Sequence, residues 1–318
     1  MPLPAYLSDV NVGVLSSLVL FVVAVALLWV GAEQFVEAAV RLARRFGVSA
    51  TVVGLTVVAV GTSLPELAVT VEASLAGRSV LAVGNVVGSN IYNIAVVLGI
   101  VSLVRLIHIP QRVLHRDVLA VAGATALLLV VLFDGAVSRL EGVVLLAVYA
   151  AYVVVLVRYG SAPDHQTPDA DPPKRFDTVR LLGGLVVVVV AGQVLVGAAV
   201  SLAEFVGVSD YVIGATVVAF GTSTPELAVS IVALNRGRGG VSVGNVLGSN
   251  LLNVLVVLGL AAAIQPLSAS AAAFDGALWL AGLTALLAIA LWSGRRLTRP
   301  EGGLLVGSEA VRWLLGFG

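Results

Sequence analysis

Two six-residue motifs carry the strongest chemical signal in the sequence: Gly61-Thr62-Ser63-Leu64-Pro65-Glu66 and Gly221-Thr222-Ser223-Thr224-Pro225-Glu226. In each, a glutamate follows a proline inside an otherwise apolar run. Proline removes a backbone donor and clashes with the carbonyl four residues back, while glycine admits unusual dihedrals, so together they are expected to break a helix and free carbonyls. Thr62 and Ser63 precede Glu66 by four and three residues, a spacing that puts hydroxyl and carboxylate oxygens on one helix face; Thr222 and Ser223 repeat it before Glu226. A second pair of motifs, Gly84-Asn85-Val86-Val87-Gly88-Ser89-Asn90 and Gly244-Asn245-Val246-Leu247-Gly248-Ser249-Asn250, is followed by Asn93 and Asn253. At helical spacing Ser89 shares a face with Asn93, and Ser249 with Asn253, although each serine could instead bond back to its own helix and each asparagine could bridge helices. Asn85, Asn90, Asn245 and Asn250 are expected to brace helix ends.

All these groups offer oxygen, and the chain has no cysteine. Such a donor set suits hard cations such as calcium and sodium; magnesium fits less well because it sheds water reluctantly. Two glutamates supply a charge of −2, which one calcium or two sodium ions neutralise. An empty site would leave both charges unpaired in a low-dielectric cavity, so it would exchange ions rather than leak them.

The elements that must position these residues are membrane helices. Hydrophobic residues make up 59% of the chain and charged ones 11%, against about a quarter charged in soluble domains. That excludes a soluble enzyme and gives a nucleic-acid binder no support. Apolar segments fall near 11–40, 50–76, 79–104, 115–134, 140–158, 179–205, 209–235, 241–265, 272–293 and, more weakly, 302–318, each able to satisfy its own backbone across a hydrocarbon core about 30 Å thick. The stretch before the first segment has no Lys or Arg, so that segment reads as retained rather than as a cleaved signal.

Residues 54–75 laid on 214–235 match at 14 of 22 positions, and 83–99 laid on 243–259 at 12 of 17, both at an offset of 160 without a gap. The chain therefore divides into a first repeat, 1–158, a Pro- and Asp-rich linker, 159–177, expected on the cytoplasmic side, and a second repeat, 178–318. Each repeat holds five segments, and an odd number forces the second into the bilayer from the opposite side. The expected fold is all-α, polytopic, with ten transmembrane helices as two inverted five-helix repeats. With the amino terminus outside, 15 of the 18 Lys and Arg fall in inside loops, as the positive-inside rule requires; the carboxyl terminus is outside too if 302–318 spans. Glu33 and Glu37 face Gln193 and Gly197 across the duplication, and Glu72 faces Val232.

GTSLPE with GNVVGSNIYN, and GTSTPE with GNVLGSNLLN, resemble the two alpha-repeats of the prokaryotic sodium/calcium exchanger branch of the calcium/cation antiporter superfamily. The resemblance covers essentially the whole chain. It implies secondary antiport by alternating access in the plasma (inner) membrane, with the first and sixth helices sliding past a fixed core. It also implies that Glu66 and Glu226 coordinate calcium, with the carbonyls of Ala59 and Ala219 and the side chains of Thr62, Thr222, Ser63, Ser223, Ser89 and Ser249 serving calcium or flanking sodium sites. Inorganic cations and the lipid bilayer are the implied partners, with no nucleic acid, obligate protein partner or cofactor. The chain departs from some relatives in carrying Asn253 where they have an aspartate. The leading expectation is exchange of sodium for calcium; a calcium/proton antiporter of the same fold is the alternative, and a passive cation channel or a non-transporting scaffold are the rivals from other classes.

Overall fold

The computed structural model describes residues 5–45, 47–108, 114–159, 174–205, 219–294 and 296–315, and these are overwhelmingly helical. The expected segment 209–235 is thus described from residue 219, while residues 159–177 are described, apart from Tyr159, only from residue 174; the first part of that segment, the rest of the linker and the last three residues of 302–318 lie outside the described residues.

The first helix, α1 (Ala5–Arg45), is followed by a composite rod of α2 (Ala50–Val53), a π-helical turn (Gly54–Val58), α3 (Ala59–Thr62) and α4 (Leu64–Leu75). Next come α5 (Ser79–Tyr92), a π turn (Asn93–Leu98) and α6 (Gly99–Val104), then a π turn (Leu114–Val118) with α7 (Leu119–Leu132), and α8 (Arg139–Tyr159). The second half repeats the plan with α9 (Asp177–Phe205), α10 (Ala219–Thr222), α11 (Thr224–Asn235), α12 (Gly239–Leu252), a π turn (Asn253–Val257), α13 (Leu258–Ile264), α14 (Ala271–Gly294) and α15 (Arg299–Leu314). Among the described residues, six helical spans are long and apolar enough to cross a membrane, and a seventh follows if the rod through α3 and α4 is counted across its 48° bend. Helix α7 has 14 residues and continues the five of the π turn before it, while α15 has 16.

Four two-residue strands, which the hydrophobic pattern does not predict, tie the rods together. Strand β1 (Ile107–His108) pairs antiparallel with β4 (Arg296–Leu297), and β2 (Ala136–Val137) with β3 (Leu267–Ser268). The offset of 160 carries Ile107 opposite Leu297 onto Leu267 opposite Val137, so one ribbon is the image of the other. Helix crossings obey the same relation. A Cβ on Gly142 of α8 would meet Gly259 O of α13 at 2.7 Å, and one on Gly302 of α15 would meet Gly99 O of α6 at 2.7 Å; each close approach requires a glycine, because backbone faces backbone there.

Packing divides the molecule in two. One apolar core runs through α5 to α8 and α12 to α15; a second, smaller one gathers Phe35, Val36, Ala39 and Val40 of α1 with Val188 and Ala191 of α9 and Val229, Val232 and Ala233 of α11. Helices α1 and α9 run antiparallel, since Arg41 near the end of α1 donates from Nε to Oδ1 of Asp177 at the start of α9 (2.8 Å). They cross closely where a Cβ on Gly184 would meet Phe35 N at 2.7 Å. Their outer faces expose Leu15, Val22, Val30, Val179, Val186 and Val190, an apolar surface suited to lipid.

Candidate functional site

Both glutamates are wholly buried, on helices that start beside them. The rod breaks at Ser63 (φ −86°, ψ 9°) and its counterpart at Ser223 (φ −91°, ψ 9°). Pro65 and Pro225 then sit in the first turn of α4 and α11, where a missing N–H costs nothing, with Glu66 and Glu226 in the same turn. The proline therefore starts a helix rather than interrupting one. A carboxylate there also faces the positive end of the helix dipole.

The break redirects the serines. The spacing within one helix places Ser63 beside Glu66, yet its hydroxyl donates across the molecule to Oε1 of Glu226 (3.0 Å), and Ser223 donates to Oε1 of Glu66 (2.9 Å). At ψ near zero the backbone leaves the helical path, so the three-residue spacing no longer keeps the two side chains on one face. Ser249 adds a third contact, donating to Oε1 of Glu226 at 3.3 Å, which favours a site role over a bond to its own helix. The hydroxyls of Thr222 and Thr62 also interact with Glu66 and Glu226 respectively, and Thr62 donates to Oδ1 of Asn245 at 3.0 Å.

Two asparagines outside the expected ligand set hold this frame. Asn85 Nδ2 donates to Thr70 Oγ1 (2.9 Å) and to the carbonyl of Glu66 (3.4 Å); Asn245 Nδ2 donates to Ser230 Oγ (3.0 Å) and to the carbonyl of Glu226 (3.3 Å). The motifs mark both asparagines as braces but do not disclose their partners, Thr70 and Ser230, which the same offset relates. Asn90 bonds back to the carbonyl of Val86 (2.8 Å). Neither amide atom of Asn250 has a partner among the described residues, so it braces nothing there.

Oε2 of Glu66, Oε2 of Glu226 and both polar atoms of Asn93 and of Asn253 are buried without a hydrogen-bond partner among the described residues. Other buried polar atoms are unpaired too, Oδ1 of Asn90 and Oγ of Ser242 among them. Leaving a buried polar group unpaired costs about 1–3 kcal/mol, and more for a charged one. Those of Glu66, Glu226, Asn93 and Asn253 include four oxygens, and Asn93 and Asn253 each stand first in a π turn, a bulge often found at functional sites. Ser89 is buried nearby in sequence on α5. The carbonyl of Ala59 accepts from the N–H of Ser63 (3.0 Å) and from the hydroxyl of Thr62 (3.4 Å), so the break does not free it. Ala219 opens α10, and its side chain lies outside the described set. Among the described residues no three Asp, Glu, His or Cys cluster together, so the two glutamates supply the site's whole acidic charge. Glu72, by contrast, is exposed to solvent on α4.

Comparison with known proteins agrees with this geometry. The family model for sodium/calcium exchanger protein matches residues 16–158 and 176–308. The chain is 35% identical to the inner membrane protein YrbG of Escherichia coli K12 over 258 residues, covering 78% of this chain and 79% of that one. It is 30% identical to the sodium/calcium exchanger MaX1 of Methanosarcina acetivorans over 319 residues, covering 87% and 91%. Its fold matches the sodium-calcium exchanger NCX_Mj with a TM-score of 0.84 at 33% identity, over 94% of this chain and 98% of that one. With matched motifs in both halves and the match running through both, the chain belongs to the sodium/calcium exchanger family of membrane transporters.

Proposed function

We propose that the protein exchanges sodium for calcium by alternating access, with Glu66 and Glu226 as the ligands both loads share. The observation that carries this is the pair of fully buried carboxylates, each held at Oε1 by a serine from the other half while Oε2 stays without a partner. A dehydrated hard cation between them would satisfy Oε2 of both and, with Asn93 Oδ1 and Asn253 Oδ1, complete an oxygen shell. Thr62, Thr222, Ser63, Ser223, Ser89, Ser249 and the carbonyls of Ala59 and Ala219 complete the set for calcium or flanking sodium ions. The likeness to MaX1 and NCX_Mj, named as sodium/calcium exchangers, supports the choice of ions.

The proposed architecture is ten membrane helices in two inverted five-helix repeats, residues 1–158 and 178–318. The ribbon pairs and glycine crossings that exchange under the offset support it. The chain sits in the plasma (inner) membrane with its amino terminus outside, and the carboxyl terminus outside as well if α15 spans.

Reconstitution in proteoliposomes tests the function. An outward sodium gradient at fixed pH drives calcium uptake that persists with a protonophore. Uptake that follows only a pH gradient would replace sodium by protons as counter-ion; uptake without any counter-ion would make the protein a channel.

A further inference from the structure

Among the described residues, ion pairs at one end of the molecule have no equivalent at the positions that match them under the offset of 160. Arg236, in the turn after α11, bonds through Nη2 to Oε1 of Glu33 (2.6 Å) and through Nη1 to Oε1 of Glu37 (2.9 Å), both on α1. Glu37 takes Nη1 of Arg41 on its other oxygen (3.3 Å), and Arg41 continues to Asp177 of α9 (2.8 Å). A chain of alternating charge therefore fastens the α1–α9 pair to the bundle. Beneath it, Phe35, Val36, Ala39 and Val40 pack with Val229, Val232 and Ala233 of α11 in a buried apolar cluster.

The offset of 160 sets Gln193 in place of Glu33, Gly197 in place of Glu37, Ser201 in place of Arg41 and Ala76 in place of Arg236. These four residues cannot form the same pairs. Among the described residues, no interface between α9 and α4 compares with that between α1 and α11, and Gln193, Gly197 and Ala76 are exposed. Among the described residues, one end joins α1 to the turn after α11 by charge, and the matching positions at the other end are neutral.

This asymmetry matters in a carrier built of inverted repeats. Exact symmetry would make the states open to either side equal in energy, and only interactions present in one state alone can unbalance them. We infer that Arg236, with Glu33 and Glu37, is an ionic latch that closes the end bearing the basic loops, the cytoplasmic one, and weights the carrier toward the state open to the outside. This rests on the alternating-access reading above. Arg236 keeps 45% of its side-chain surface exposed, so the latch is screened by salt and weak enough to open in each cycle.

The test measures the calcium concentration giving half-maximal flux from each face, in sealed vesicles of the two opposite orientations. An apparent affinity is reduced by the fraction of carrier not facing the ligand. Arg236→Gln should weaken apparent affinity from outside and strengthen it from the cytoplasmic face, changing their ratio by about fivefold to tenfold, and Arg236→Lys should restore most of it. A new latch at the far end, Ala76→Arg with Gln193→Glu, should move the ratio the opposite way. A ratio within twofold of wild type in both variants overturns the latch, as does a change of the same sign at both faces, which a merely structural defect would give. Wild-type vesicles without sodium-driven calcium flux would instead defeat the exchange function itself.

Discussion

The hydroxyl of Ser223 donates to Oε1 of Glu66 at 2.9 Å across 157 residues of sequence, and Ser63 returns the same bond to Glu226 at 3.0 Å. Each half thus fixes the other half's carboxylate, whose second oxygen has no hydrogen-bond partner among the described residues. Neither half can build the site alone, because every glutamate needs a donor from its partner.

Ser63→Ala and Ser223→Ala are therefore expected to act on the opposite glutamate. A hydrogen bond to a charged group contributes about 1.5–3 kcal/mol, so each substitution should weaken calcium binding about tenfold to a hundredfold in titration calorimetry. In double-mutant cycles, Ser223→Ala should couple to Glu66→Gln more strongly than to Glu226→Gln. The reverse order would mean that the serines serve their own helices.

Glu66→Gln and Glu226→Gln should each reduce sodium-driven calcium flux at least about a hundredfold while leaving the protein folded, because removing one buried charge relieves repulsion as it removes a ligand. Melting separates the two effects. Calcium at about a hundred times its dissociation constant should stabilise the wild type by about 2.7 kcal/mol, and chelation should remove that gain. In either variant the calcium-dependent shift disappears and the ion-free melting temperature rises or holds. A variant that keeps the calcium shift would move the site elsewhere.

The glutamates and the two-half plan were readable because duplication prints the same residues twice at one offset, and the same lipid environment demands long apolar runs around them. Three features were not readable. The serine cross-bonds depend on ψ at Ser63 and Ser223, and a three-residue spacing cannot reveal where a helix breaks. The π turns at Asn93 and Asn253 have no sequence signature, since they widen one turn by a residue within an unbroken apolar run. The Arg236 pairs with Glu33 and Glu37 join helices far apart in sequence, with no repeat to advertise them. Asn85 and Asn245 were readable as braces, but their hold on Thr70 and Ser230 required knowing which faces meet.

Asn253→Asp adds a third acidic group to a centre that otherwise carries two. Sodium-driven calcium flux in that variant should vary more steeply with pH than in the wild type, since the new carboxylate takes up protons that an amide cannot. Flux measured across a pH series at constant sodium gradient checks this. Identical profiles would place the side chain of residue 253 outside the ions' path.

Glycines at the paired crossings give a purely structural test. A Cβ on Gly142 would lie 2.7 Å from both Ala263 N and Gly259 O, backbone atoms that cannot rotate away, so Gly142→Ala should destabilise by about 1–3 kcal/mol through overpacking. Gly302→Ala meets the matching carbonyl of Gly99 at 2.7 Å and, nearer still, the Ser102 hydroxyl, for which Gly142 has no counterpart, so it should cost more. Gly123 in α7 faces open space, and there alanine should gain up to about 1 kcal/mol from helix propensity. Thermal unfolding in detergent ranks the three. Losses at both 142 and 302, the larger at 302, with a gain at 123, are what these approaches require, whereas no loss at 142 would mean that α8 does not meet α13 backbone to backbone.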